Sequence, residues 1–201
     1  MNFTFAEKIN PRLEVFDFEG ALLIAQTELQ TLPVSPFHAI IGRSLMHMTK
    51  HLANWIDDFY DGAKKRAAVC GLYFELNEFD INTDYWFIDG FAYDDCDTDP
   101  DDMDWLSDFM TDARTETGSV FYIEDYRALQ SAFSEIDKKK LNGDWTKEMQ
   151  DARDWCEQII IIRFMELMRN VHLLAKKQYL SWSDIPIYFT EHEYDFIVKS
   201  E

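Results

Sequence analysis

Apolar residues recur along this chain first at helical spacing, then at strand spacing, then at helical spacing again. Gly20 to Leu32 carries Leu22, Leu23, Gln26 and Leu29 in a helical rhythm that Pro33 stops. Ser35 followed by Pro36 marks a second helix start, and Phe37, Ile41, Leu45, Met48, Leu52, Trp55 and Phe59 follow at steps of three or four until Gly62. From Ala67 the period shortens to two. Tyr73, Glu75, Asn77 and Phe79 alternate with Leu72, Phe74 and Leu76, and Tyr85, Phe87, Asp89, Phe91 and Tyr93 mark one side of a second strand. Asp80, Asn82 and Asp84 fit the turn of an antiparallel pair.

Ser119 to Glu124 predicts a further short strand, with Glu124 or Asp125 capping a helix from Tyr126 to about Lys138. Asp144 then caps the longest predicted helix, about 145–179, which would run roughly 50 Å at 1.5 Å per residue. Its centre, Ile159 to Ile162 and on to Met168, is apolar on nearly every side. Four consecutive Ile also suit a buried strand, but helix-forming flanks without Gly or Pro favour a central helix packed on more than one side. Ile185, Ile187 and Phe189, a charged turn over Glu191 to Asp195, and Phe196 to Val198 make a C-terminal hairpin. Pro186 puts its first strand at an edge or at the strand's beginning. The expected fold is α+β: an antiparallel sheet packed against several helices, in a single domain over 1–201.

Composition supports a folded chain, since 47% hydrophobic and 15% aromatic residues with only seven Gly and five Pro supply a sizeable core. Met1 to Asn10 lacks the features of a signal peptide, and no run approaches the roughly 18 to 20 apolar residues that span a bilayer. The sequence therefore predicts a cytoplasmic protein. Cys70, Cys96 and Cys156 are isolated and odd in number, which argues against a disulfide framework and against paired-cysteine zinc sites. Reduced thiols are expected.

Charge changes this picture most. Of a formal net charge of −19, residues 75–125 hold nearly all, with 17 acids against the single base Arg114. Such a one-signed field speeds encounter with a basic protein and repels nucleic acid and anionic lipid. Its densest part is Asp94, Asp95, Asp97, Asp99, Asp101, Asp102 and Asp104, followed by Trp105 and Asp108. Read as a calcium loop from Asp95, it puts Pro100 at the turn and Leu106 where a bidentate acid belongs; read from Asp97, it puts Asp102 at the turn. Neither register fits. A solvated acidic segment leading into a short helix near 101–110, anchored by Trp105, Phe109 and Met110, is expected instead.

No other motif names a reaction. His47, His51, Asn54 and Asp58 form a polar stripe in which two His at i and i+4 suit a metal, yet no Glu follows His47 in the zinc-protease pattern. Glu191, His192, Glu193 and Asp195 occupy an expected turn. Gly-flanked Ser, phosphate-loop and dinucleotide-binding patterns are absent. No cofactor and no metal is expected.

Phe91-Ala92-Tyr93-Asp94-Asp95, Asp104-Trp105-Leu106-Ser107-Asp108-Phe109 and the closing Ile185-Pro186-Ile187-Tyr188-Phe189 together resemble small acidic bacterial immunity proteins that accompany secreted or contact-dependent toxins. The resemblance implies a role class, stoichiometric binding that blocks a toxin, and no individual functional residue. The combined expectation is a non-enzymatic binding protein that neutralises a basic toxin domain, such as a nuclease. Asp94, Asp95, Asp97, Asp99, Asp101, Asp102 and Asp104 would be its charge partners and Trp105 its positioning anchor. Two rivals use other features: a DNA-mimic regulator of a DNA-binding protein, with the same acids, and a metal-dependent enzyme built on His47 and His51.

Overall fold

The computed structural model of the chain describes residues 2–77, 85–97, 103–110, 120–192 and 194–201. The expected turn residues Asp80, Asn82 and Asp84, the strand ends Phe79 and Ser119, and Asp99, Asp101, Asp102 and Glu193 lie outside the described residues. Among those described, helices α1 (Phe3–Leu13), α2 (Phe18–Thr31), α3 (Thr49–Ala63), α4 (Arg127–Asn142) and α5 (Lys147–Gln178) accompany strands β1 (Gly71–Asn77), β2 (Phe87–Tyr93), β3 (Phe121–Tyr122), β4 (Ile187–Glu191) and β5 (Val198–Ser200). The class is α+β. Contacts gather into two compact units, one of 1–45, 77–86 and 123–166, the other of 46–76, 87–122 and 167–201.

The first unit is helical. Asp17 caps α2, accepting from the Gly20 amide at 3.0 Å while pairing with Arg12 at 2.5 Å. Pro11 sits inside α1, which the apolar spacing did not announce, and Phe5 of that helix stacks on Trp155 with centroids 4.1 Å apart. The helix expected from Ser35 to Gly62 is broken. Ser35 and Pro36 do start a helical turn, but it is a 3-10 turn of Pro36–Ile40 closed by a Ser35–His38 capping box, and Gly42 then adopts φ +76°. A left-handed residue cannot continue a right-handed helix, so a second helix must nucleate at Thr49. Two caps also differ from expectation. A 3-10 turn at Glu124–Tyr126 leads into α4 with neither Glu124 nor Asp125 as cap, and Thr146, not Asp144, caps α5 by accepting from Met149 at 3.3 Å. Ile159 to Ile162 are all buried, as a helix covered on more than one side requires. Arg153, within α5, is buried against Glu157 and lies 4.9 Å from the Phe133 ring centroid, so its charge is paired and stacked.

The second unit holds the sheet, ordered β3-β2-β1-β4-β5. It is mixed, not purely antiparallel: the C-terminal hairpin β4–β5 forms as expected, with Phe189 opposite Val198, but β4 joins β1 in parallel, with Phe74 opposite Phe189. Local alternation specifies faces, not the direction of a partner 115 residues away, which is why this pairing was open in the sequence. Pro186 immediately precedes β4 and its carbonyl accepts from the Leu72 amide at 3.1 Å. One face packs on α3. Trp55 and Phe59 meet Phe74 with centroids 6.1 and 6.4 Å away, and Trp55 meets Phe121 at 5.9 Å. Gly90 makes room for them, because a Cβ there would stand 3.3 Å from ring carbons of Trp55, Phe59 and Phe74 alike.

The C-terminal part of α5 holds β5 through His172, which is fully buried and stacks on Trp182 at 5.9 Å. Its Nε2 faces the Ser183 carbonyl at 3.2 Å and therefore carries the proton; Nδ1, 2.6 Å from Ser200 Oγ, accepts from that hydroxyl, which Arg169 approaches at 2.5 Å. The ring is neutral. Burial first, then the nearby Lys176 cation and, less, Arg169 push its pKa down from 6.5 to about 4, against the Ser183 hydrogen bond and Asp184, which act the other way.

Two outcomes follow from these contacts. Gly90→Val should lower the unfolding free energy by about 2 kcal/mol in urea titration, since three packed rings must move. A histidine of depressed folded pKa loses stability as pH falls below its unfolded value of about 6.5, so from pH 7.5 to 5 the chain should lose about 2 kcal/mol more than its His172→Asn variant in parallel melts.

Candidate acidic binding surface

On the second face of the sheet, aromatic side chains of the acidic segment pack. Tyr73, Phe91, Tyr93 and Tyr188 share that face, and Leu106 completes a buried cluster flanked by Cys70, Cys96, Met103, Trp105, Phe109 and Ile197. The expected short helix near 101–110 is, in its described part, a 3-10 turn of Asp104–Ser107. Trp105 meets Tyr93 edge-on at 4.9 Å and Tyr188 at 5.2 Å, and Phe109 meets Phe91 at 4.8 Å. One side-chain and one backbone hydrogen bond fix the same segment: the buried Tyr93 hydroxyl donates to the Leu106 carbonyl at 2.6 Å, and the Met110 amide donates to the Ala92 carbonyl at 3.0 Å. Burial raises the Tyr93 phenol well above its usual pKa, with Glu75 adding to the shift, so this donor keeps its proton throughout the ordinary pH range.

The cysteines correct the expectation of three reduced thiols. Cys70 and Cys96 form a disulfide, with Cα atoms 6.1 Å apart across a sequence separation of 26, while Cys156 is a buried free thiol in α5. The pairing follows from strand order. The Cys70 amide donates to the Tyr93 carbonyl at 2.8 Å, so the residue before β1 lies against the end of β2, where the chain turns into Cys96. Gly71 leaves the space: a Cβ there would stand 3.0 Å from Cys96 Sγ and 3.4 Å from the Trp105 ring. An odd cysteine count concealed the pair because the third thiol belongs to a helix of the core.

The structure thus makes of residues 94–97 and 103–110 an ordered strap with carboxylates on its outer side. Asp94, Asp95, Asp97, Asp104 and Asp108 are exposed, Trp105 is half-buried between two tyrosines, and Asp99, Asp101 and Asp102 lie outside the described residues. Two further features escaped the sequence reading. Asp89, in β2, is buried and its carboxylate accepts from the Gly90 amide at 2.9 Å. Glu75 accepts from the Tyr73 hydroxyl at 3.2 Å and pairs with His192, whose own amide donates to the Leu76 carbonyl at 3.0 Å. Burial first and then the Glu75 charge push the Tyr73 phenol far upward. Glu75 stands out of phase with the apolar residues of its strand, a signal the sequence does carry; its partner is 117 positions away. The pair ties the turn after β4 to β1.

The rival metal stripe is not assembled as one helix. His47 belongs to a 3-10 turn of Met46–Met48, and the ring of exposed His51, on α3, meets Phe121 at 5.2 Å. Among the described residues no group of three or more His, Cys, Asp or Glu is placed to hold a metal ion, and none of the helices is long and apolar enough to cross a membrane. No known protein family, curated protein or solved structure matches the chain.

The cysteine assignment has a direct check. In denaturant without reductant the chain should titrate one thiol, Cys156, and after reduction three; three thiols before reduction would remove the bond from the native state.

Proposed function

We propose that the chain is a non-enzymatic binding protein whose acidic strap engages a basic protein, in the manner of immunity proteins that neutralise a toxin domain by stoichiometric association. The observation that carries this reading is the seating of the strap: Asp94, Asp95, Asp97 and Asp104 are exposed on a segment whose intervening side chains, Cys96, Trp105 and Leu106, are bonded or packed into the sheet. Carboxylates on a seated segment lose less conformational freedom on binding than those on a loose tail. Their common sign accelerates encounter with Lys and Arg, and that acceleration falls as salt rises. The likeness of residues 91–95, 104–109 and 185–189 to acidic immunity proteins points to the same role, and a nuclease domain, whose phosphate-binding groove is basic, is the kind of target such a surface would block.

Affinity capture from the source lysate at low salt, elution by graded salt and mass spectrometry identify the partner, and association kinetics with that partner carry the test. Replacing Asp94, Asp95 and Asp97 together by Lys should reduce the association rate at least about tenfold at low salt and flatten its salt dependence, with the circular dichroism spectrum unchanged. Equal rates for the two proteins would place the interface elsewhere.

A further inference from the structure

The aromatic surface beneath the strap is covered but not closed. Trp105 is half-buried, with its ring edge-on to Tyr93 at 4.9 Å and to Tyr188 at 5.2 Å, so part of the indole stays open to solvent. Carboxylates border the ring along two segments of the strap. In one, the exposed Asp104 directly precedes Trp105. The other holds Cys96: a Cβ on Gly71 would stand 3.0 Å from Cys96 Sγ and 3.4 Å from the Trp105 ring, so the two side chains meet over that glycine, and the exposed Asp95 and Asp97 flank Cys96 in the chain. The same aromatic surface already seats a cation. Lys199 Nζ lies 5.7 Å from the ring centroid of Tyr188, the tyrosine that Trp105 meets, even though Glu201 pairs with that ammonium at 2.5 Å.

We propose that Trp105 makes the strap selective for arginine: a guanidinium of the basic partner lies on the open part of the indole and donates hydrogen bonds to carboxylates among Asp95, Asp97 and Asp104. This selectivity rests on the binding role proposed for the strap, and it names the side chain that the strap holds. A guanidinium is planar and weakly hydrated, and it can donate several hydrogen bonds from its edge while one face lies on an aromatic ring. An ammonium is compact and strongly hydrated, so the carboxylates attract it as well but the indole adds less to its binding. The acids therefore set how fast a cationic partner arrives, and Trp105 sets which cation is retained. Trp105 thus contributes contact as well as anchorage, the inner end of its ring packed over Gly71 and the remainder offered to the partner.

Two peptides of equal charge, acetylated and amidated hexaarginine and hexalysine, serve as probes. Titrated into the full chain at low ionic strength, both should bind, hexaarginine at least about threefold tighter, the scale of one exposed cation–π contact. Trp105→Leu should cut that ratio at least about twofold and leave the hexalysine affinity unchanged, whereas Trp105→Phe, which keeps a ring in place, should retain most of the preference. Circular dichroism checks the fold of each variant. In the unmodified chain the Trp105 indole N–H resonance, identified by its absence from Trp105→Phe, should shift more with hexaarginine than with hexalysine at equal saturation, a readout that needs no folded Trp105→Leu. Equal affinities of the two peptides for the unmodified chain overturn the selectivity, as does the same ratio in a folded Trp105→Leu or an indole resonance that neither peptide moves; each of these leaves the binding role of the strap standing. Binding of neither peptide, or binding that Asp94→Lys/Asp95→Lys/Asp97→Lys leaves unchanged, instead sinks the role of the strap itself and the selectivity with it.

Discussion

A sheet strand buried on both faces needs two covers, and in the second unit that requirement shapes what surrounds it. β4 is buried at all five positions and β2 at all but its first. Leu72, Phe74 and Leu76 alternate in β1 with the half-buried Tyr73 and Glu75. On one side α3 supplies Trp55 and Phe59, and Gly90 lets them approach. On the other, Tyr73, Phe91, Tyr93 and Tyr188 are sealed by Trp105, Leu106 and Phe109, so the chain's most acidic segment is also a cover of its core.

The double role is energetically coherent. Two exposed carboxylates 4 Å apart repel by about 1 kcal/mol in water, less at physiological ionic strength. Burying one side chain such as Leu106 contributes about 1.5–3 kcal/mol, and each edge-on aromatic pair adds about 1 kcal/mol more. Packing therefore outweighs the repulsion even when several acids lie close together, and the charges remain on the solvent side, where they keep their hydration. A negative surface with little internal freedom results, which is what fast association with a basic surface uses.

Charged groups inside the molecule follow a different rule, since each must meet a partner to remain there. Arg153 is held by Glu157 and the Phe133 ring in the first unit, and Glu75 by Tyr73 and His192 in the second. His172 is instead kept neutral, its two nitrogens committed to the Ser183 carbonyl and the Ser200 hydroxyl. Apart from the Arg153–Glu157 pair on one helical face and the Tyr73–Glu75 pair on one strand face, these arrangements join positions far apart in sequence, and only those two local pairs leave a periodic trace.

What the sequence by itself determined was local. Period-two alternation separated the helix-facing Leu72, Phe74 and Leu76 from Tyr73 and Glu75, the uninterrupted run around Ile159 to Ile162 identified a helix buried on more than one side, and the spacing of Trp105 and Phe109 among aspartates pointed to anchors, because each of these depends only on the geometry of neighbouring residues. Tertiary structure decided the rest. The parallel docking of β4 on β1, the break at Gly42, the Cys70–Cys96 bond and the Glu75–His192 pair each depend on which distant segment arrives alongside, or on a backbone angle that glycine permits but does not impose, and no local pattern of residues encodes either.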